Sequence, residues 1–291
     1  MISESYLITR SVLLLVFISV VFCASSQTFE GELIDKHSGE AVAFANIGIL
    51  NKNTGTVSDA AGRFKIELSG ASEKDSLRIS CIGYLDRQFL IHDLKNEIVN
   101  VNIMRIDLIP ISYDLDEILI KPTNTRNYTL GYPCDSSSAY GNAFYSSELG
   151  TEIGVVMKLP RKKEQACLRS FRFYVGESTF DVFPVRMNIY ALKDGLPGEN
   201  ILREPVFIDI QASGEYVLDL SQQNITVNGD FFVSLEYYRV PDNTEGKLIF
   251  CAVHSNRSKQ GESYYRWTSQ GNWQREMFEH VGFSVEVECR K

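Results

Sequence analysis

Four aromatic residues near the C-terminus have the types and spacing that most clearly point to chemistry, in this case ligand binding. Tyr264 and Tyr265 precede Trp267, and Trp273 follows residues 269–272, a polar stretch typical of a hairpin turn. Tyrosine and tryptophan rings stack on sugars because they offer a flat apolar face with a polar edge. These four are the candidate ligand-binding residues; the alternative is that both tryptophans fill the core. A two-residue turn would put the tryptophans on opposite faces of the hairpin, and a three-residue loop would put them on one face.

Nothing in the sequence has the pattern of a catalytic centre, and no catalytic residue or metal site is predicted. The segment from His37 to Glu40 spells H-x-x-E, a zinc-binding pattern, but zinc needs a third protein ligand, and this segment has the composition of a surface turn. The other histidines are His92, His254 and His280. Because a triad is recognised by geometry, a hydrolase with His254 or His280 beside a serine and a carboxylate stays open.

Acidic residues supply two further hypotheses. Glu148, Glu152 and Glu236 could furnish a carboxylate pair for glycoside hydrolysis, but no pair is favoured, since acidic residues on the outer face of a sandwich are expected to be solvated. A structural calcium ion is the one cofactor considered, with loop carboxylates near strand ends as its ligands. The four aspartates near predicted strand ends are Asp181, Asp194, Asp209 and Asp230.

Length and charge set the broad class of the chain. Its 291 residues predict one or two domains, and its formal net charge of −8 argues against a nucleic-acid partner, which requires clustered lysine and arginine. The compact basic run at residues 161–163 lies beside Pro160 and is interpreted as a solvated hairpin tip.

The first 26 residues read as a secretory signal. Arg10 precedes an apolar run at residues 12–22, and Ala24 and Ser26 occupy positions −3 and −1 of a cleavage site after Ser26. The alternative is that the signal is not cleaved and stays as a membrane anchor. Cys23 suggests a lipoprotein, but Phe22 is bulky where the lipoprotein signal requires a small residue. No transmembrane segment is predicted in the mature chain.

Cysteine usage fits export without defining a site. The mature chain keeps five cysteines and has no C-x-x-C spacing, so zinc or thioredoxin-like chemistry is not indicated. Most are interpreted as buried apolar residues in strands; if one disulfide exists, a pair within the second domain is favoured. The cysteines are Cys81, Cys134, Cys167, Cys251 and Cys289.

Short strands separated by turns fill residues 29 to 107 and predict a small β-sandwich. Alternation puts Phe64 and Ile66 in the core, Asp59 is expected to bond its own turn, and Gly55 and Gly62 are expected where turns need free φ. The predicted strands cover residues 29–35, 45–50, 63–68, 77–82, 88–92 and 99–104, with no helical period.

This region resembles the carboxypeptidase-regulatory-like family. The resemblance rests on Gly-Glu-Leu-Ile-Asp at 31–35, the segment from Gly39 to Ile47, the segment from Gly55 to Phe64, and Leu77 to Tyr84. It implies a prealbumin-like (transthyretin-like) sandwich that serves as an accessory unit, in a family frequent in Gram-negative cell envelopes. Residues 114–122 resemble the strand that follows this module in TonB-dependent outer-membrane transporters. Too few residues remain for the plug and barrel, so transport by this chain alone is not expected.

The remaining chain predicts a second, larger β domain of eight to ten strands with a jelly-roll-like sandwich fold. Segments 172–174, 187–190 and 219–221 resemble carbohydrate-binding-module sandwiches in architecture alone. The predicted organisation is all-β, with a signal peptide at 1–26, the prealbumin-like sandwich at 27–108, a linker with one strand at 109–138 and the jelly-roll-like sandwich at 139–291.

The functional prediction is a non-catalytic exported protein of the cell envelope, at the periplasm or outer-membrane surface, that acts as a binding or scaffold module. Its expected partners are envelope proteins or glycans. Two alternatives stay open: a glycan-binding accessory of an outer-membrane uptake system, and a hydrolase whose site is not visible in the sequence.

Overall fold

The chain is an all-β protein built from two sandwiches. The computed structural model describes residues 28–98, 103–111, 124–134, 141, 143–145, 149–241, 246–254 and 261–290. The predicted signal peptide with its cleavage site and Cys23, the strand at 114–122 and the carboxylate of Glu148 lie outside the described residues.

The described part of the first sandwich contains seven strands and one helix. One sheet has the order β4-β1-β7, with β1 and β7 parallel, and the other has the order β3-β2-β5-β6. The elements are β1 (Thr28–Asp35), β2 (Asn46–Ile49), β3 (Gly55–Val57), β4 (Arg63–Glu67), β5 (Ser76–Ser80), β6 (Arg87–Leu90), α1 (Ile91–Ile98) and β7 (Met104–Leu108).

The core of the first sandwich confirms the predicted alternation. Phe64 and Ile66 are buried, and Phe29 packs edge-on against Phe64 with ring centroids 5.4 Å apart. Gly62 has a φ of +75°, and the Asp59 carboxylate accepts hydrogen bonds from the backbone N–H groups of Ala61 and Arg63, both at 2.9 Å. This turn is therefore held as the sequence predicted.

The helix α1 corrects the prediction of a strand through His92. Its residues Ile91 and Leu94 are fully buried, Asp93 lies in the first turn and Lys95 in the last. Both charges are placed favourably for the helix dipole. Because Ile91 and Leu94 are spaced by three residues, a helix presents both to the core, whereas a strand would put them on opposite faces.

The second sandwich packs two seven-stranded sheets. The docking sheet has the order β13-β12-β17-β10-β20-β21, with β14 also on β12; the far sheet has the order β8-β23-β11-β18-β9, with β15 and β16 also on β11. β19 and β22 form a separate pair. The strands are β8 (Thr125–Gly131), β9 (Ala143–Tyr145), β10 (Glu152–Met157), β11 (Gln165–Ser178), β12 (Phe183–Lys193), β13 (Leu196–Asn200), β14 (Val206–Ile210), β15 (Gly214–Asp219), β16 (Thr226–Asn228), β17 (Phe231–Tyr237), β18 (Lys247–Phe250), β19 (Ala252–His254), β20 (Ser263–Arg266), β21 (Gln274–Arg275), β22 (Glu279–Val281) and β23 (Phe283–Arg290).

The core between these two sheets is rich in phenylalanine. Phe171, Phe173, Phe250 and Phe283 are all buried and meet edge-on, as in the pair Phe171 and Phe283 with centroids 5.3 Å apart. Each such side chain contributes about 1.5–3 kcal/mol when fully buried. The docking sheet packs its inner face into the same core through residues such as Val155, Met187 and Val233, which leaves its outer face to form a site.

Strand β8 and one disulfide tie the segment after the first sandwich to the second. β8, inside the predicted linker, pairs along its length with β23. Just beyond it, Cys134 is bonded to Cys251, while Cys81, Cys167 and Cys289 are free thiols. A helix of the length and apolar character needed to cross a bilayer is not found among the described residues.

Candidate binding cleft between the two sandwiches

The outer face of the docking sheet carries four charged residues in one cross-strand row. In the strand register, Arg186 of β12 lies opposite Glu236 of β17, and Glu236 lies opposite Glu152 of β10. Glu152 in turn lies opposite Arg266 of β20. Both glutamates are fully buried, and only 3% of Arg186 and 7% of Arg266 is exposed. We call these four residues the charged row.

Each glutamate of the charged row is held by an arginine. Arg186 donates from Nε to Glu236 Oε2 at 2.8 Å and from Nη2 to Glu236 Oε1 at 3.0 Å. Arg266 donates from Nε to Glu152 Oε2 at 2.9 Å. The first pair has the two-pronged geometry that is strongest between a guanidinium and a carboxylate.

Neutral side chains complete the hydrogen bonding of the two carboxylates. Asn188 donates from Nδ2 to Glu152 Oε1 at 2.9 Å and to Glu236 Oε2 at 2.8 Å, so it bridges the like charges. Glu152 also accepts hydrogen bonds from the hydroxyl groups of Ser234 and Tyr190. The carboxylates are thus satisfied as buried charges must be.

The environment moves the pKa values of the two glutamates in opposite directions. For Glu152, burial raises the pKa more than the positive charge of Arg266 lowers it. For Glu236, burial also acts to raise the pKa, but the charge and hydrogen bonds of Arg186 outweigh it and hold the value below the usual range. Glu236 is therefore the more firmly ionised of the pair.

The first sandwich covers one end of the charged row. The carbonyl oxygen of Phe44 accepts a hydrogen bond of 2.5 Å from Arg186 Nη1. Phe44 has a φ of +57°, a left-handed conformation that is costly for a bulky residue. Its ring packs edge-on against Phe207 and Tyr238, with centroid distances of 5.7 and 4.9 Å. These contacts hold the strained residue in place.

The turn at residues 268–272, here called the bridging turn, joins the second sandwich to the first. Ser269 donates from Oγ to Asn46 Oδ1 at 2.8 Å. Gln270 donates from Nε2 to Ser80 Oγ at 2.7 Å, with Ser269 fully buried. Buried polar bonds of this kind require a fixed orientation of the two sandwiches.

Two glycines of the first sandwich let the bridging turn approach its backbone. A Cβ atom on Gly48 would lie 2.2 Å from the carbonyl oxygen of Ser269, and one on Gly55 would lie 2.3 Å from the same atom. Gly55 is therefore required for this close contact. The sequence predicted a different reason, namely a turn that needs positive φ. Gly55 is not among the residues with positive φ in the described chain.

A cleft of about 420 Å³ lies where the sandwiches meet. Its floor is formed by Arg186, Asn188, Tyr190 and Arg266 of the docking sheet, and Trp273 lines it as well. The first sandwich contributes the opposite wall, including Asn46, Ser80, Cys81 and Tyr84. Its volume falls at the lower end of the range for small-molecule sites.

Two titratable groups on the wall of the first sandwich, Cys81 and Tyr84, are neutral near pH 7. Burial raises the pKa of the Cys81 thiol to about 11. Burial, together with a hydrogen bond to Asp35, raises the pKa of Tyr84 to about 12. These two side chains therefore offer a ligand polar but uncharged groups.

The four predicted aromatic residues divide between the two faces of the docking sheet. Trp273 lines the cleft with its ring 4.7 Å from the guanidinium carbon of Arg266, and the buried Tyr264 lies on the same face, where both contact Phe232. On the other face, Tyr265 packs against the core of the second sandwich. The ring of Trp267 contacts the ring of Tyr265, and 42% of the surface of Trp267 is exposed. The tryptophans therefore lie on opposite faces.

The three histidines whose side chains the structure describes have separate surroundings. His37 lies in an exposed turn whose backbone N–H groups bond to Asp35, and His92 is exposed on α1. His280 Nδ1 lies 3.2 Å from Ser263 Oγ, with its ring stacked on Tyr132. Ser263 is fully buried and does not line the cleft. The side chain of His254 lies outside the described residues.

The acidic residues named from the sequence have separate surroundings. Glu152 and Glu236 were expected to be solvated, which is wrong, because the first sandwich and the bridging turn cover their face. Asp209 pairs with Arg239, and Asp230 accepts a hydrogen bond from a backbone N–H. Among the residues that the structure describes, no three of His, Cys, Asp and Glu are grouped as metal ligands.

Sequence reasoning named Trp273 but missed the polar floor of the cleft. The available signal was a charged residue at an outward position on each of four strands, as in Glu152 beside Ile153 and Arg186 beside Val185. Alternation identifies the outer face of a sheet, but it does not reveal that a second domain covers that face.

Comparisons with known proteins identify the first sandwich. Residues 29–119 match the sequence model of the CarboxypepD_reg-like domain. No curated protein sequence matches the chain.

Three solved structures show distant similarity. The cysteine protease and lectin-like domains of a surface-layer-associated protein of Clostridium difficile are 11% identical with a TM-score of 0.37, over 58% of this chain and 36% of that one. A structure of infectious bursal disease virus is 10% identical with a TM-score of 0.21, over 90% and 65%. The major pilin subunit of Bacillus cereus is 8% identical with a TM-score of 0.18, over 89% and 69%. At these TM-scores the similarities carry no information on function.

Proposed function

Because residues 29–119 match the CarboxypepD_reg-like domain, we propose that this chain is a non-catalytic binding module of the cell envelope, with its ligand site in the cleft between the two sandwiches. The observation that carries the proposal is the construction of the cleft. Both sandwiches line it, and its floor contains two arginines that are more than nine-tenths buried. Burying charge in this way is costly unless the groups are paired, and function is a common reason to retain it.

The position of the carboxylates supports binding over hydrolysis. A general acid or nucleophile has to reach the scissile bond of its substrate. Arg186, Asn188 and Arg266 line the cleft, whereas Glu152 and Glu236 do not and keep their hydrogen bonds to these side chains. The groups on the floor of the cleft are therefore hydrogen-bond donors and aromatic rings, which suit recognition.

Export to the envelope, at the periplasm or the outer-membrane surface, is part of the proposal. The bond between Cys134 and Cys251 supports it, since such bonds persist in oxidising compartments. Carboxypeptidase-regulatory-like domains, such as the one matched here, are typical of extracellular and envelope proteins.

A glycan-binding accessory of an outer-membrane uptake system is the specific form that one observation favours. Trp273 is half-buried and lines the cleft beside polar side chains, an arrangement that suits a sugar ring. Envelope glycans and envelope proteins are the proposed partners, and the size of the cleft supports the former.

The two tryptophans give the experiment a matched pair of variants. Binding of the purified chain to a glycan array is measured for the unchanged protein, for Trp273→Ala and for Trp267→Ala. We expect saturable binding that Trp273→Ala abolishes and Trp267→Ala preserves, because only Trp273 lines the cleft. Equal loss in both variants, or binding that survives Trp273→Ala, would place the ligand elsewhere and refute the cleft as the site.

A further inference from the structure

The positive charges of the charged row face the cleft, and the negative charges do not. Arg186 and Arg266 both line it, while their partners Glu236 and Glu152 lie behind them. The row contains equal numbers of positive and negative groups, yet its positive ends face the cavity. A ligand in the cleft therefore contacts the guanidinium groups of the charged row and not its carboxylates.

Arg266 retains unused hydrogen-bonding capacity. Its Nε and Nη2 atoms contact Glu152, and Nη2 also lies 3.4 Å from the hydroxyl oxygen of Tyr190. No acceptor for its Nη1 atom is found among the described residues. By contrast, Asn188 and Tyr190 already donate to the buried carboxylates. The Nη1 donors of Arg266 thus remain for a ligand, where they can bond an oxygen of a carboxylate.

The other charges at the cleft do little to oppose an anion. Arg78 and Asp86 line its rim and form an ion pair with one another. Glu199 is exposed at the rim, where water and salt screen its charge. Burial raises the pKa of Glu152, so the negative charge behind Arg266 is the less firmly held of the two in the row.

An aromatic surface lies directly beside this free donor. The guanidinium carbon of Arg266 lies over one face of the Trp273 ring, 4.7 Å from its centroid, and both residues line the cleft. We propose that the ligand of the cleft is an acidic sugar, with its carboxylate on Arg266 and its ring against Trp273. This inference rests on the proposed binding function and narrows its ligand class.

The test compares acidic and neutral sugars of the same ring. Binding of galacturonate, glucuronate, galactose, glucose and acetate to the full chain is measured by titration calorimetry at pH 7, in low and in raised salt. We expect the uronates to bind at least tenfold more tightly than the matched neutral sugars, with affinity that falls as salt rises. Acetate is expected to bind at least tenfold more weakly than the uronates, because it lacks the ring.

A paired variant removes the guanidinium without leaving a buried charge. Glu152→Gln combined with Arg266→Met is expected to abolish the preference for uronates while leaving the protein folded. The control is Glu215→Gln combined with Arg172→Met, which removes an exposed ion pair of the far sheet. That control should keep the full preference.

The outcomes separate this inference from the function on which it rests. Neutral sugars that bind as tightly as uronates, in a manner sensitive to Trp273→Ala, would overturn the acidic ligand and leave the cleft as a binding site. If acetate binds as tightly as the uronates, the sugar ring does not contribute to binding, and the cleft is a site for carboxylates in general. Absence of binding by every probe would count against both proposals.

Discussion

Replacing Arg186 with methionine tests the charged row, because it removes one charge and leaves its partner buried. Glu236 is fully buried and receives two of its hydrogen bonds from Arg186. Methionine retains much of the apolar length of the side chain, so the change is chiefly one of charge. The variant also loses the hydrogen bond to Phe44 of the first sandwich.

The magnitude follows from the cheapest response available to Glu236. Without Arg186 the carboxyl group would take up a proton, and its pKa would have to rise from an ordinary 4.5 to the ambient pH. At about 1.36 kcal/mol per unit, that rise costs about 3.4 kcal/mol at pH 7. Direct measurements on other buried pairs, at about 3–5 kcal/mol, fall in the same range.

The loss of stability caused by Arg186→Met is expected to be larger at neutral pH than in acid. In the unchanged protein the pKa of Glu236 is lowered, so its contribution to stability is present above about pH 4.5 and is lost as the pH falls through the folded-state value. In Arg186→Met that pKa is raised instead, so stability falls as pH rises above about 4.5. The two stability curves should therefore converge in acid.

Urea unfolding at pH 7.5 and pH 4.5, followed by tryptophan fluorescence, measures the loss in the free energy of unfolding and its dependence on pH. Adding Glu236→Gln to Arg186→Met should recover most of the loss, because no buried charge remains. Arg172→Met is the control: its partner Glu215 and Arg172 are each about half exposed, so the expected loss is at most about 1 kcal/mol. A cost below about 1 kcal/mol for Arg186→Met, or one independent of pH, would refute the reasoning.

Two further predictions concern the junction of the sandwiches and the disulfide. Gly55→Ala is expected to destabilise the protein by about 1–3 kcal/mol in urea unfolding, because its Cβ would meet the Ser269 carbonyl oxygen, whereas Gly70→Ala, with open space around it, should change stability by less than about 0.5 kcal/mol. Reducing the bond between Cys134 and Cys251 is expected to lower stability by about 4–5 kcal/mol, since it closes a long loop in the unfolded chain. Cys134→Ser should show the same loss in thermal unfolding and should no longer respond to reductant; a large remaining response would contradict this assignment.

The elements of the first sandwich were largely predictable because its strands alternate and its turns carry distinct residues. Phe64 and Ile66 are buried as their spacing predicts, and Asp59 holds its turn. The helix α1 was missed because it follows β6 without an intervening turn and spans only two turns of helix. Its signal was the spacing of Ile91 and Leu94, which a short window does not distinguish from a strand.

The candidate site was less predictable because it depends on how the sandwiches meet. Glu152 and Arg266 occupy outward positions on their strands, where charge is ordinary for an exposed sheet. Their burial results from contacts far away in sequence, such as Ser269 with Asn46. Trp273 could be named from its type alone, but its role beside Arg266 required the register of β20 and β21.

The disulfide also determines how the chain would respond to mechanical tension. Cys134 and Cys251 are separated by 117 positions, and a pull applied at the two ends would pass through their covalent bond. The residues between them would be shielded from the load, which withholds roughly 400 Å of extended chain from stretching. The load would instead fall on the first sandwich, on β8 before Cys134 and on the strands from β19 to β23 after Cys251, so the chain would lengthen on both sides of the disulfide while the loop between the two cysteines would not.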